Sequence, residues 1–197
     1  MLGSTPYDRA VSILLVAAGV LLLLGDTLHL ASKGFAWTVV LALAFTAFAA
    51  GLLLLPGALT GSPGWLLLAG ATVAFIGSVA GVSMQTLFRV REVLDQSTQP
   101  QALDILGRHS GIRFTTLVPG ILFPLGLLLI SIDLLRREGI ALACTLALGA
   151  ILFPVGHAIG LAPALIGGDI VLLAAFFQVA LRLNHRGGSI GAKGRTS

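Results

Sequence analysis

The chain is short of charge, of cysteine and of recognisable catalytic motifs. Only 10% of its 197 residues are Asp, Glu, Lys or Arg, whereas soluble domains carry about 25%. The six spans read below use most of the chain and leave no room for a separate soluble domain. The single cysteine, Cys144, excludes an internal disulfide and any cysteine-rich metal site. It lies inside an apolar run and reads as a small buried apolar residue. No HExxH or HxxxH pairing is present, and no Ser–His–Asp order with useful spacing. Gly167-Gly168-Asp169 is not a phosphate loop, because no lysine or further spaced glycine follows it. No catalytic residue is therefore assigned. Apolar/polar alternation over roughly ten-residue segments is also missing, which argues against a membrane β-barrel.

What the chain has instead is apolar length. Hydrophobic residues make up 56% of it, with a mean hydropathy of +1.01. A spanning helix needs roughly 20 apolar residues. Six runs reach that length, at 11–31, 36–58, 64–90, 114–135, 139–160 and 163–183. The predicted fold is an all-α bundle of six transmembrane helices in one domain, 1–184, followed by a basic, Gly-rich tail, 185–197. The first run resembles a signal peptide in position, but no small-x-small cleavage site follows it, so it reads as a retained span. Gly and Pro punctuate the turns at Lys33-Gly34, Gly61-Ser62-Pro63-Gly64, Glu138-Gly139 and Ala162-Pro163. Connections this short make sequential helices antiparallel neighbours. The one long loop, about 91–113, carries a polar stretch ending at Pro100, after which a short amphipathic turn is expected on the membrane surface.

The net charge of +4 does not indicate nucleic acid. The twelve Lys and Arg sit at span ends and in loops, where cations set topology and meet anionic lipid headgroups. Seven fall on the side of the termini and five on the other. That bias places both termini in the cytoplasm of a multi-pass plasma-membrane protein. Trp37 and Trp65 begin the second and third runs, where interfacial anchors belong.

Ionisable groups inside a membrane span are rare and mark functional positions. With alternating helix directions, Asp26, His29, Gln85, Arg89, His157 and Asp169 fall in the same half of the membrane. Asp26 and His29 are three residues apart, on one helix face. Gly25, Gly77, Gly81, Gly156 and Gly160 flank these positions and either let helices approach or leave room for a ligand. Three readings follow. In the first, Arg89 neutralises a carboxylate and the histidines bond across helices, giving a structural or accessory protein whose job is partner contact. In the second, Asp26, His29, His157 and Asp169 line a ligand or proton site. In the third, His29 and His157 ligate haem or, with a carboxylate, zinc. A transporter with six short spans implies a homodimer.

The remaining polar residues have local explanations. Asp133 lies one turn from Arg136 and Arg137 and should pair with them. His109 reads as a solvated loop residue. Ser78, Ser83, Thr115, Thr116 and Ser131 can bond to their own helix carbonyls. The segment Ile121-Leu122-Phe123-Pro124-Leu125-Gly126 is echoed by Ile151-Leu152-Phe153-Pro154-Val155-Gly156. Each echo places a proline in mid-span, where it frees a carbonyl.

The stretches Gly25-Asp26-Thr27-Leu28-His29-Leu30, Gly156-His157-Ala158-Ile159-Gly160-Leu161 and Gly167-Gly168-Asp169 resemble small bacterial multi-helix integral membrane proteins of uncharacterised function. The resemblance implies a bacterial plasma-membrane protein and assigns no activity.

Overall fold

The computed structural model describes residues 5–31, 36–59, 64–96 and 110–190, of which 91–92, 94–96, 110–119 and 186–190 are described by backbone alone. All six expected helices form: α1 Pro6–Ala31, α2 Ala36–Leu59, α3 Trp65–Gln96, α4 Ser110–Arg137, α5 Ile140–Ile159 and α6 Ala162–Ile190. Their bounds lie close to the apolar runs. The exceptions are the end of α3, which continues past 90 as anticipated, and α6, which continues to Ile190, into the stretch read as a tail. The amphipathic turn after Pro100, His109, Lys33 and the tail beyond 190 lie outside the described residues, as do the side chains of Arg91, Thr115 and Thr116.

Local signals explain several ends. Thr5-Pro6-Tyr7-Asp8 starts α1 as a capping box: the Asp8 N–H donates to Thr5 Oγ1 at 3.1 Å, and the Thr5 N–H donates to Asp8 Oδ2 at 3.2 Å. Pro6 occupies the first helical position, where its missing N–H costs nothing. Gly160 ends α5 with φ 63°, a left-handed conformation that favours glycine, and its N–H donates to the Gly156 carbonyl at 3.1 Å.

The helices close a ring. α1 packs on α2, α2 on α3, α3 on α4, α4 on α5, α5 on α6, and α6 returns to α1. Successive contacts along two of these pairs show antiparallel packing. In α3 and α4, Gly70 meets Ile130 while Gly77 meets Phe123; in α5 and α6, Gly149 meets Leu172 while Gly156 meets Leu165. The α3–α4 crossing is close because it is built from small residues. A Cβ on Gly77 would sit 2.3 Å from the Phe123 nitrogen, and one on Gly126 would sit 2.3 Å from the Ala74 nitrogen.

Phenylalanines fill the middle of the ring. Phe123 of α4 lies 5.2 Å from Phe48 of α2, 5.8 Å from Phe45 and 5.7 Å from Phe153 of α5, and Phe48 lies 5.1 Å from Phe176 of α6. The two sequence echoes thus have matching roles: Phe123 and Phe153 meet at the centre, while Gly126 and Gly156 face α3 and α6. Both helices run through their prolines without a break.

Much of the exterior is apolar. Ile13, Leu53, Ile121 and Ile140 are among many large apolar side chains facing outward. Helices that are apolar all round suit a lipid surround. Five of them, Pro6–Ala31, Ala36–Leu59, Trp65–Val90, Ile140–Ile159 and Ala162–His185, are long and apolar enough to cross a membrane. Cys144 corrects an expectation: it is exposed, not buried. An apolar residue on such a helix has no reason to prefer the inward face.

At the end of the ring holding the α4–α5 turn, Arg137 Nε pairs with Asp133 Oδ2 at 2.7 Å, as the one-turn spacing anticipated. Arg182 reaches across from α6 to the Glu138 carboxylate at 3.0 Å and to its main-chain carbonyl. Ser78 Oγ donates to the Ala74 carbonyl at 2.8 Å and Ser131 Oγ to the Leu128 carbonyl at 2.7 Å, so both are locally satisfied.

Candidate functional site

The opposite end of the ring gathers the polar residues. Asp26 stands near the end of α1, His157 near the end of α5, and Asp169 in the second turn of α6. Asp26 and Asp169 are almost wholly removed from solvent, at 1% and 0% exposure, while the His157 side chain is 37% exposed. His157 Nε2 lies 3.5 Å from Asp26 Oδ2, and the Asp169 carboxyl lies against that of Asp26. The order is His157, Asp26, Asp169, running from a half-exposed ring to a fully buried acid.

Hydrogen-bond chemistry constrains the protons. His157 Nδ1 is 2.9 Å from the Phe153 carbonyl one turn earlier. A carbonyl can only accept, so Nδ1 carries the hydrogen and Nε2 is left facing a carboxylate. An ionised carboxylate also only accepts. Neither the Nε2–Asp26 contact nor the Asp26–Asp169 contact is a hydrogen bond unless a proton sits in it. Accordingly, Asp26 Oδ2 and both Asp169 oxygens are buried with no donor among the described residues. Unpaired buried carboxylates carry a large desolvation cost.

A cavity of about 360 Å³ adjoins this chain of groups. Leu22, Leu41, Phe45, Met84, Phe153 and Ile121 make most of its wall apolar, and Gln85 and His157 are its polar members. Gln85, on α3, is 3% exposed, and its Oε1 is buried with no partner among the described residues. Gly120 and Ile121 of α4 and Ala158 of α5 are exposed as well as lining the cavity, so its mouth lies on the α4–α5 seam. Phe45 and Phe153 line the cavity and also belong to the central aromatic cluster. The Phe153 ring also lies 4.5 Å from His157, fixing the imidazole between the cavity and Asp26.

The sequence-derived set therefore divides. Asp26, His157 and Asp169 come together, and Gln85 joins His157 at the cavity. His29 does not share the environment of Asp26, although only three residues separate them. Its ring is exposed and packs at a tilt against Trp37, 4.4 Å between centroids, and Trp37 in turn lies 6.2 Å from Phe88. Trp37 is thus held between two helices, whereas Trp65 is exposed as an interfacial residue would be. Arg89 is half-buried. Among the glycines, Gly25 and Gly81 serve close packing, against Leu41 and the Phe45 ring respectively.

The metal and haem readings fit this arrangement poorly. Both ring nitrogens of His157 are directed at protein groups, and His29 lies in a separate aromatic contact. No group of three His, Cys, Asp or Glu able to hold a metal ion occurs among the described residues. The cavity and its apolar wall were not legible in the sequence. Phe45, Phe153 and Leu22 come from three helices, and no local pattern distinguishes them from their lipid-type neighbours. No family model, curated protein or solved structure matches the chain.

Proposed function

We propose that the chain is a six-span bacterial plasma-membrane protein that binds a small molecule from the bilayer and links its binding to protons held by His157, Asp26 and Asp169. The observation that carries this reading is the double position of His157. His157 lines the cavity, and its Nε2 faces the buried Asp26 carboxylate. An occupant of the cavity lies against His157, changes the surroundings of its ring and with them its affinity for a proton.

The sixth span in this reading is α4. Its 28 residues rise about 42 Å at 1.5 Å per residue, enough for a bilayer core of about 30 Å. Its place in the ring between two apolar neighbours supports the assignment. An even number of spans puts both termini on one side, and the cation bias assigns that side to the cytoplasm. The accessory-protein alternative calls for a polar cluster packed without a cavity, so the 360 Å³ space favours the ligand-handling reading.

The test is a paired measurement on His157→Phe and Asp26→Asn in lipid nanodiscs. The titrant is 4-hexylphenol, a small apolar probe, with empty nanodiscs as background. The expected result is a thermal midpoint close to wild type and a changed pH dependence of probe binding. Unchanged binding at every pH, with a lowered thermal midpoint, would return the cluster to a structural role.

A further inference from the structure

Among the described residues, the cavity has one buried polar group that the packing does not explain. Gln85 sits on α3, one turn beyond Gly81, and lines the cavity. Its side chain is 97% removed from solvent, counting from the 3% exposure. An amide buried in apolar surroundings usually finds a partner, because the unpaired group costs about 1–3 kcal/mol. Leu22, Leu41, Phe45, Met84 and Phe153 around it supply no polar side-chain atom capable of a normal hydrogen bond. His157 does not serve either, since both of its nitrogens are directed elsewhere.

The charge of the site narrows the ligand further. Among the described residues, the lining contains no Asp, Glu, Lys or Arg. The one titratable side chain in the described lining, His157, turns both ring nitrogens to protein groups, so a carboxylate, phosphate or ammonium would enter without a counter-charge, at a large desolvation cost. A wholly apolar occupant would leave the amide unpaired. The volume is at the lower end of small-ligand sites, which run from about 300 to 1,000 Å³. The mouth on the α4–α5 seam lies on the outer surface of the ring, where Ile121 is 61% exposed. On the six-span reading that surface faces lipid.

From these observations we infer that the cavity takes an uncharged amphiphile from the lipid phase, one with an apolar body and a single neutral hydroxyl-type group that hydrogen-bonds the Gln85 amide. The hydroxyl donates to the amide oxygen and accepts from nothing charged. The apolar body fills the space between Phe45, Phe153 and Ile121. This inference rests on the ligand-handling reading above and specifies what the site selects. The same chemistry is offered by a hydroxyl-bearing membrane lipid and by a free lipid-soluble alcohol or phenol.

The experiment compares 4-hexylphenol with its methyl ether, which keeps the body and loses the donor. Calorimetric titrations are run on wild type and on Gln85→Leu in nanodiscs, against empty nanodiscs. Wild type is expected to bind the phenol at least tenfold more tightly than the ether. Gln85→Leu should bind both equally, with the ether no weaker than in wild type. Equal binding of the two probes by wild type would overturn the hydroxyl assignment and leave the cavity reading standing. A phenol preference that survives in Gln85→Leu would place the bond on another group and also overturn it. No binding of either probe above background would overturn the ligand-handling reading as well. A parallel solvent extraction of the purified protein separates the two sources. A stoichiometric hydroxyl lipid, displaced by 4-hexylphenol, identifies the occupant as lipid; an extract without one identifies a free molecule.

Discussion

His157 Nε2 and Asp26 Oδ2 face each other at 3.5 Å although their helices, α5 and α1, are not neighbours in the ring. α6 stands between them, and it contributes Asp169 to the same spot. Three helices thus bring three titratable groups together at one end of an apolar bundle. Packing alone gives no reason for this, because apolar residues of similar size would avoid the desolvation cost.

That cost makes a stability prediction. Asp169→Asn replaces one acceptor by a donor, and its amide hydrogen can bond the Asp26 carboxylate without a shared proton. The variant should be more stable than wild type by about 1 kcal/mol, the usual worth of a buried hydrogen bond. Thermal unfolding in one detergent, at neutral pH, checks the sign. A gain in stability combined with altered probe binding would mark Asp169 as retained for function at the expense of stability. A clear loss would show that the acid is satisfied as it stands.

The α3–α4 crossing makes another. Gly126→Ala places its Cβ 2.3 Å from the Ala74 nitrogen and 2.6 Å from the Gly70 carbonyl oxygen. Both obstacles are backbone and cannot rotate aside, so the helices must separate. Overpacking of this kind costs about 1–3 kcal/mol. Gly167→Ala is the control, because its Cβ would meet nothing within 4 Å. The first should lower the thermal midpoint by several degrees, and the second should raise it slightly, because alanine is the better helix former.

The membrane assignment can be checked with the protein's own chemistry. Cys144 is the only thiol, so Cys144→Ser gives a cysteine-free background. Ile76, near the middle of α3, is 47% exposed. If α3 spans a bilayer, Ile76→Cys faces acyl chains. It should react with a lipid-soluble maleimide and resist a charged, water-soluble one in intact vesicles. Equal reaction with both reagents would contradict the spanning assignment of α3.

The helices were legible in the sequence because apolar length is a local property, and Gly and Pro mark their ends. The gathering of Asp26, His157 and Asp169 at one end was legible too, since alternating helix direction fixes depth. Helix rotation was not. A helix that is apolar on every side gives no sign of which face turns inward. This is why His29 was grouped with Asp26 but packs against Trp37, and why Cys144 faces outward. The cavity was hidden for a related reason. It depends on Phe45, Gln85 and Phe153 meeting from three helices, and only Gln85 differs in kind from its neighbours.

The most direct test of the central claim is a count of protons. Binding of 4-hexylphenol to wild-type protein in nanodiscs is titrated calorimetrically at one pH in two buffers of different ionisation enthalpy. The difference between the observed enthalpies gives the number of protons exchanged per probe bound. The expected number is distinct from zero in wild type and indistinguishable from zero in His157→Phe. Probe binding with no proton exchange in wild type would contradict it, and would separate the cavity from the His157–Asp26–Asp169 chain.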